Sequence, residues 1–498
     1  MSCRIITNEI NFEKYNMNPT VQQTDVKMYK GDTLVVKSGA GTGKTSTLVE
    51  YAKENPNSSM LFLAFNKAIR DDAASKFPSN VQCRTTHSIA YAKYGAGLRH
   101  KRSNNIRLTE IKNLCTCTWG EVHFIKDAFE LFLCSKDDII SKKHIEHNLD
   151  HDITKRVVRS VIKLWDATTD INNKFPCTHD VYLKLFHMSK PTLNFDTILF
   201  DECQDANDLQ ADLVLSQKCK KLFVGDDHQQ IYRWRNANNA MTKLINAGAQ
   251  VKYLTKSFRF GDNIASIAND ILYYKHVHAD CELMQLEGNG STADANFVPA
   301  VGQTAILHRT VYGTIETAIK THEKVYWIGG IGSYNIADLL DVYYLQSEQK
   351  HKIRNKHKLK DYKDYPEYIE MAKLTKDAEM NRAIRILEEY SDIENLIGEL
   401  NYNCAKLPED AGIVITTCHR AKGLEFDNVI IGEDFTDIPT EIPCDKDGRL
   451  LMTVSEFQDM IADELNLMYV AVTRARKTIS LTQVFKNVIN KGKSLSCC

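Results

Sequence analysis

One run of eight residues, Ser38-Gly39-Ala40-Gly41-Thr42-Gly43-Lys44-Thr45, constrains this chain more than any other feature. It stands between an apolar strand candidate and a helix candidate. In that setting glycines let backbone N–H groups wrap a phosphate chain, a lysine reaches the outer phosphates, and the next hydroxyl meets Mg2+. Lys44 and Thr45 are those residues, and Ser46 follows them. The usual pattern opens on glycine where this chain has Ser38, so the strand–loop–helix context carries the assignment. Such a loop calls for an α/β fold with a parallel sheet and its site at the strand carboxyl ends.

The other apolar segments agree with that fold. Leu34 to Glu50 reads strand, loop, helix, and Met60 to Phe65 reads as a second strand. Thr197 to Phe200 ends in two acids, and Lys221 to Val224 ends in Gly225-Asp226. The mostly helical stretch Ala90 to Pro191 interrupts this set as an insertion. After Tyr253 a second set appears, with strand candidates at Thr304–Leu307, Gly412–Thr416 and Val429–Ile431. It implies a second α/β core with its own insertion, which holds the basic, predicted helical stretch Lys350 to Lys360. A charge run of this kind is ordinarily a solvated face, and contact with nucleic-acid phosphates is the alternative.

Two segments supply the chemistry that a phosphate loop needs. The strand ending in Asp201-Glu202 brings Asp201 to a Mg2+ shell and places Glu202 to polarise an attacking water. Loop and acid pair together describe a nucleoside triphosphatase. In Gly225-Asp226-Asp227-His228-Gln229-Gln230-Ile231-Tyr232-Arg233-Trp234-Arg235, Gln229 is placed to sense a γ-phosphate. Tyr232, Trp234 and Arg235 offer aromatic faces and a guanidinium plane, the materials of a base-stacking platform. Packing of the two aromatics in a core is the plainer reading. The interleaved Arg233 and Arg235 argue against it, because unpaired charges are costly to bury.

Composition narrows the setting. The 498 residues suggest three or four structural units, and 43% hydrophobic with 26% charged residues is the balance of a packed globular protein. No apolar run is long enough for a membrane span and the N-terminus lacks a signal-peptide core, so an intracellular, soluble protein is expected. Nucleus and cytoplasm are not distinguished. The 14 cysteines have no framework spacing. Reduced thiols are the expected state, with a metal site near Cys115 and Cys117 as the alternative. A net charge of −1 does not exclude nucleic acid, since a local basic cleft releases counterions equally well.

The phosphate loop, DECQD (201–205), GDDHQQIYRWRNA (225–237), Ser257-Phe258-Arg259, TCHRAKGLEF (417–426) and LMYVAVTRAR (467–476) stand in the order seen in UvrD/Rep-like superfamily 1 DNA helicases. The chain resembles that family over essentially its whole length, and most closely its F-box-bearing branch. The resemblance implies two RecA-like cores with ATP and Mg2+ between them, each core carrying a mainly helical insertion. Residues 1–88 and 190–247 would form the first core and 89–189 its insertion. Residues 248–330 and 406–498 would form the second core and 331–405 a small insertion.

Site roles follow from the same resemblance. Gly39, Ala40, Gly41, Thr42, Gly43, Lys44, Thr45 and Ser46 would hold the phosphates, with Thr45 and Asp201 on the metal. Gln22 would read adenine, with neighbouring Gln23 as the alternative register; Phe258 would stack on the base, and Glu425 would lie by the ribose or adjacent phosphate. Arg259 and Arg474 would act as arginine fingers beside Lys44, Glu202 and Gln229. Phe65, Asn66, Thr86, His87, Tyr232, Trp234, Arg235, His419 and Lys422 would line a single-strand track.

The implied activity is 3′→5′ movement on single-stranded DNA with unwinding of forked or tailed duplexes. Its partners would be recombination or replication proteins. A translocase that strips proteins from single strands is the alternative. A degenerate scaffold and a small-molecule kinase are weaker readings, since no catalytic position looks ablated and a kinase needs no Trp234. With 37 residues ahead of Ser38, no F-box and no ubiquitin-ligase partner by that route are expected.

Overall fold

The computed structural model describes residues 18–146, 149–232, 240–290, 302–321, 323–354, 362–375, 378–443, 450 and 452–496. Two sheets organise it, and every strand pair in both is parallel. The first contains β1 (Thr33–Ser38), β2 (Met60–Leu63), β3 (Val81–Arg84), β4 (Thr197–Phe200), β5 (Lys220–Gly225) and β6 (Gln250–Leu254), in the order β3-β2-β4-β5-β1-β6. The second contains β7 (Thr304–His308), β8 (Val325–Trp327), β9 (Ile413–Thr417), β10 (Phe426–Ile431) and β11 (Ala475–Ser480), in the order β11-β10-β7-β9-β8.

The central strands are buried on both faces, which is why they read as unbroken apolar runs. Val36, Leu48, Tyr51 and Phe62 pack on one face of the first sheet, and Val35, Leu63, Ile198 and Phe223 on the other. Strands β3, β6, β8 and β11 are short or carry polar side chains, and all four lie at sheet edges. These are the strands that apolar runs do not announce.

Strand β6 corrects the expected division at 247/248. Leu34 to Ser38 of β1 pair in register with Gln250 to Leu254, so this segment completes the first sheet instead of opening the second core. Among the described residues β1 supplies the ladder for the paired side of this edge strand. The basic stretch also departs from expectation. Lys350–Lys352 is a single 3-10 turn followed by extended Ile353, and residues 355–361 lie outside the described residues.

Helices fill the two interruptions. Leu108–Cys115, Trp119–Cys134, His151–Thr169 and His179–Met188 pack around Ile125, Phe132, Leu164 and Phe186. Ile336–Gln346, Tyr365–Thr375, Ala378–Glu389 and Ile393–Tyr402 pack around Tyr334, Leu340, Ile386 and Ile397. Trp119 packs against both clusters, so the two insertions touch. No helix among the described residues is long and apolar enough to cross a membrane.

Candidate active site

The phosphate loop leaves β1 and opens α2 (Lys44–Glu54), downstream of α1 (Val21–Lys27). Gly41 and Gly43 have φ of 73° and 76°, a left-handed backbone that glycine adopts at least cost. A Cβ on Gly41 would lie 2.6 Å from both Arg259 Cβ and Ser257 Oγ, so the 257–259 segment presses directly on the loop. The Phe258 N–H donates to the Gly41 carbonyl at 2.8 Å, and the Gly39 N–H to Leu254 at 2.9 Å.

Lys44, Thr45 and the acids after β4 come together as expected. Thr45 Oγ1 donates to Asp201 Oδ2 at 3.1 Å, and Lys44 Nζ is 3.2 Å from Glu202 Oε1. Burial alone would depress the Lys44 ammonium, but Glu202, Asp226 and Asp201 together hold it above its ordinary value. Burial alone would raise the Glu202 carboxyl, but Lys44 and Lys422 hold it well below. Glu202 itself has a left-handed backbone, φ 51°, a strain of about 1–3 kcal/mol that tends to occur at functional sites.

No group of three His, Cys, Asp or Glu side chains among the described residues closes around a metal position. A Mg2+ that keeps waters and takes phosphate oxygens needs only one or two protein ligands. Thr45 and Asp201 fit that demand, and the open glycine loop fits a phosphate chain.

The loop after β5 is clasped by the second body at almost every residue. Gln229 Nε2 donates to Asp226 Oδ2 at 2.6 Å, while Gln229 Oε1 accepts from Arg474 at 3.3 Å. Lys275 Nζ lies 3.1 Å from His228 Nδ1, and Asn466 Nδ2 donates to the Gln230 carbonyl at 2.8 Å. Lys275 belongs to α3 (Asp262–Ala279) and Asn466 to α4 (Val454–Val472). Arg474 is wholly buried and also donates to the Val470 and Leu424 carbonyls. Burial, then the nearby Arg259 charge, pushes its guanidinium down to about 9. Arg259 donates to the Thr473 carbonyl at 2.9 Å and pairs with Glu425 at 3.5 Å. Glu425 is thus engaged with an arginine.

Gln22 accepts from the Thr255 N–H at 2.9 Å and donates to its hydroxyl at 3.1 Å. Gln23 caps α1 and donates to the Thr42 carbonyl at 3.3 Å, which ties it to the phosphate loop.

The expected strand track assembles in part. Phe65 stacks on Tyr232, 5.6 Å between centroids at 16°, and the Tyr232 hydroxyl donates to the His419 carbonyl at 2.9 Å. Asn66 is exposed and caps the helix Lys67–Lys76. His87 pairs with Asp180 at 2.9 Å. Thr86 is buried, and its hydroxyl accepts from Gln210 at 2.9 Å. Trp234 and Arg235 lie outside the described residues.

Lys422 corrects the expectation that placed it on the track. Its side chain is 9% exposed, paired with the fully buried Asp205 carboxylate and donating to the Gln229 carbonyl at 2.5 Å. A buried carboxylate needs a cation, and Lys422 is the one the fold delivers. Burial raises the Asp205 carboxyl to about 6 despite that ammonium. Residue types alone did not mark Asp205, Asn466 or Tyr469 for these roles. The signal for Tyr469 is a phenol inside an apolar helical run, where a buried hydroxyl needs a partner.

A phosphate loop on one parallel α/β body, with Arg259 against it and Arg474 of a second body on the neighbouring Gln229, defines a two-core P-loop protein. The sequence comparisons narrow that class. Residues 122–485 match the UvrD-like helicase C-terminal domain, and the chain belongs to the UvrD-like helicase family. It is similar to F-box DNA helicase 1 of Gallus gallus, 31% identical over 93% of this chain and 48% of that one. It is 29% identical to F-box DNA helicase protein 1 of Schizosaccharomyces pombe, over 95% of this chain and 57% of that one. DNA helicase II of Escherichia coli matches at 26% over 48% of this chain and 38% of its own. The chain therefore spans about half the length of the two F-box relatives.

Proposed function

We propose that this chain is an ATP-driven motor on single-stranded DNA that moves 3′→5′ and unwinds forked or tailed duplexes. The observation that carries the reading is the composite site: Arg474 of the second body hydrogen-bonded to Gln229 of the first, with Arg259 against the phosphate loop. The relatives named DNA helicases support the choice of DNA. The two motor bodies are residues 1–88 with 190–254, and 255–330 with 406–498; 89–189 and 331–405 are their insertions.

Lys44 and the N–H groups from Gly41 to Ser46 would hold the ATP phosphates, the Gly39 and Ala40 N–H groups being taken by Leu254 and Tyr469, and Thr45 with Asp201 would hold Mg2+. That ion neutralises phosphate charge when bound. Lys44 must exchange Glu202 for phosphate, which frees the carboxylate to orient water and take its proton. Arg259 and Arg474 add positive charge from the second body, Gln229 relays their position, and Gln22 and Phe258 flank the base. Phe65, Tyr232 and His419, with Asn66, His87, Trp234 and Arg235, grip the strand.

The compact second insertion favours a second reading, a translocase that strips recombination or replication proteins from single strands while unwinding weakly. Unwinding of 3′- and 5′-tailed duplexes measured beside single-strand translocation separates the two. Hydrolysis that single-stranded DNA does not stimulate overturns both.

A further inference from the structure

Beyond the two arginines, a third second-body side chain reaches the nucleotide site. Tyr469 lies on α4 and is fully buried. Its hydroxyl accepts a hydrogen bond from the Ala40 N–H of the phosphate loop at 3.0 Å. The same hydroxyl donates to Asp226 Oδ2 at 3.2 Å. Asp226 Oδ2 also accepts from Gln229 at 2.6 Å, and Gln229 accepts from Arg474. One phenol oxygen thus joins the phosphate loop to Asp226, the carboxylate that Gln229 donates to.

We propose that Tyr469 is a positioning residue for hydrolysis, which transmits closure of the second body to the phosphate loop through Ala40 and to Gln229 through Asp226. Three features support it. The ring is held edge-on against His228, 5.8 Å between centroids, so the hydroxyl position is set by packing. Tyr469 is four residues before Thr473, whose hydroxyl donates to its carbonyl at 2.8 Å and whose own carbonyl accepts from Arg259. Tyr469, Arg259 and Arg474 are therefore tied together at the end of α4 through Thr473 and Val470. Finally, Ala40 and Asp226 are both fully buried, so bulk solvent does not reach them to replace the phenol. Burial, then the Asp226 charge, holds the phenol far above its ordinary value, so it stays a neutral donor.

The assignment rests on the ATP-hydrolysing reading above, and Tyr469→Phe tests it on the full chain. Phenylalanine keeps the ring and removes only the hydroxyl. Turnover with single-stranded DNA should fall at least tenfold, while KM for ATP changes less than threefold and the melting temperature falls only a few degrees. In the Tyr469→Phe background, Asp226→Asn should cost less than it does alone, because the hydrogen bond the two share is lost only once. Turnover within twofold of wild type, additive losses, or a rise in KM with kcat unchanged overturns the assignment. A wild-type chain without DNA-stimulated hydrolysis overturns the motor reading and this assignment together.

Discussion

The Arg474 guanidinium and the Gln229 side-chain carbonyl meet at 3.3 Å across the boundary between the two α/β bodies. Gln229 passes the contact on to Asp226, and Lys422 of the second body grips the Gln229 backbone from the other side. Gln229 is held by both bodies at once, so any relative movement of the two must disturb it.

Arg474→Ala should therefore cut kcat far more than it weakens ATP binding. Arginines supplied to P-loop sites contribute roughly 10³–10⁵ in rate. Steady-state turnover and nucleotide-analogue affinity check this on one preparation. Turnover near wild type would make Arg474 a structural residue only.

Lys44 and Glu202 are paired, yet their losses should differ. Lys44→Ala removes the ammonium that the phosphates need and should abolish both binding and turnover. Glu202→Gln leaves Asp201 and Thr45 intact, so nucleotide should bind while hydrolysis stops. Equal loss of binding in the two variants contradicts this division.

The Lys422–Asp205 pair predicts a pH dependence. Asp205 sits at about 6 in the folded chain, against an ordinary 3.8. An acid raised on folding binds its proton more tightly in the native state. By itself it weakens the fold above about pH 6, and this penalty is relieved as pH falls toward 4. The clasp runs the opposite way: it exists only while Asp205 is charged, above about pH 6. DNA-stimulated turnover should show an acid limb near pH 6 that Asp205→Asn removes. A limb that survives the substitution would point to Asp226, whose carboxyl burial also raises.

Phe65→Ala separates fuel use from movement. A stacked aromatic contributes about 1–3 kcal/mol per base, judged by alanine substitution. Hydrolysis should persist while bases translocated per ATP fall severalfold or more, since Phe65 stacks on Tyr232 and is not among the phosphate-holding residues. Trp234→Ala carries the same expectation. Thermal melting measured alongside guards against the alternative, in which a destabilised core lowers both activities in parallel.

Local sequence was enough for everything that depends on one segment's own chemistry. The glycines around Lys44, the acids closing the strand at Phe200, and the apolar runs of β1, β2, β4, β5, β7, β9 and β10 could be read directly. A phosphate loop and a doubly buried parallel strand each demand particular residue types in particular order. Edge strands make no such demand, so local sequence does not tell which body β6 joins, and its ladder with Leu34–Ser38 decides it. The motifs also named Arg259, Arg474 and Lys422 without saying what each would face. That was decided by packing two bodies together, because Lys422 meets Asp205 217 residues away and Tyr469 meets Ala40 429 residues away. Residue type limits which partners a buried charge or hydroxyl can accept, and only tertiary placement selects one.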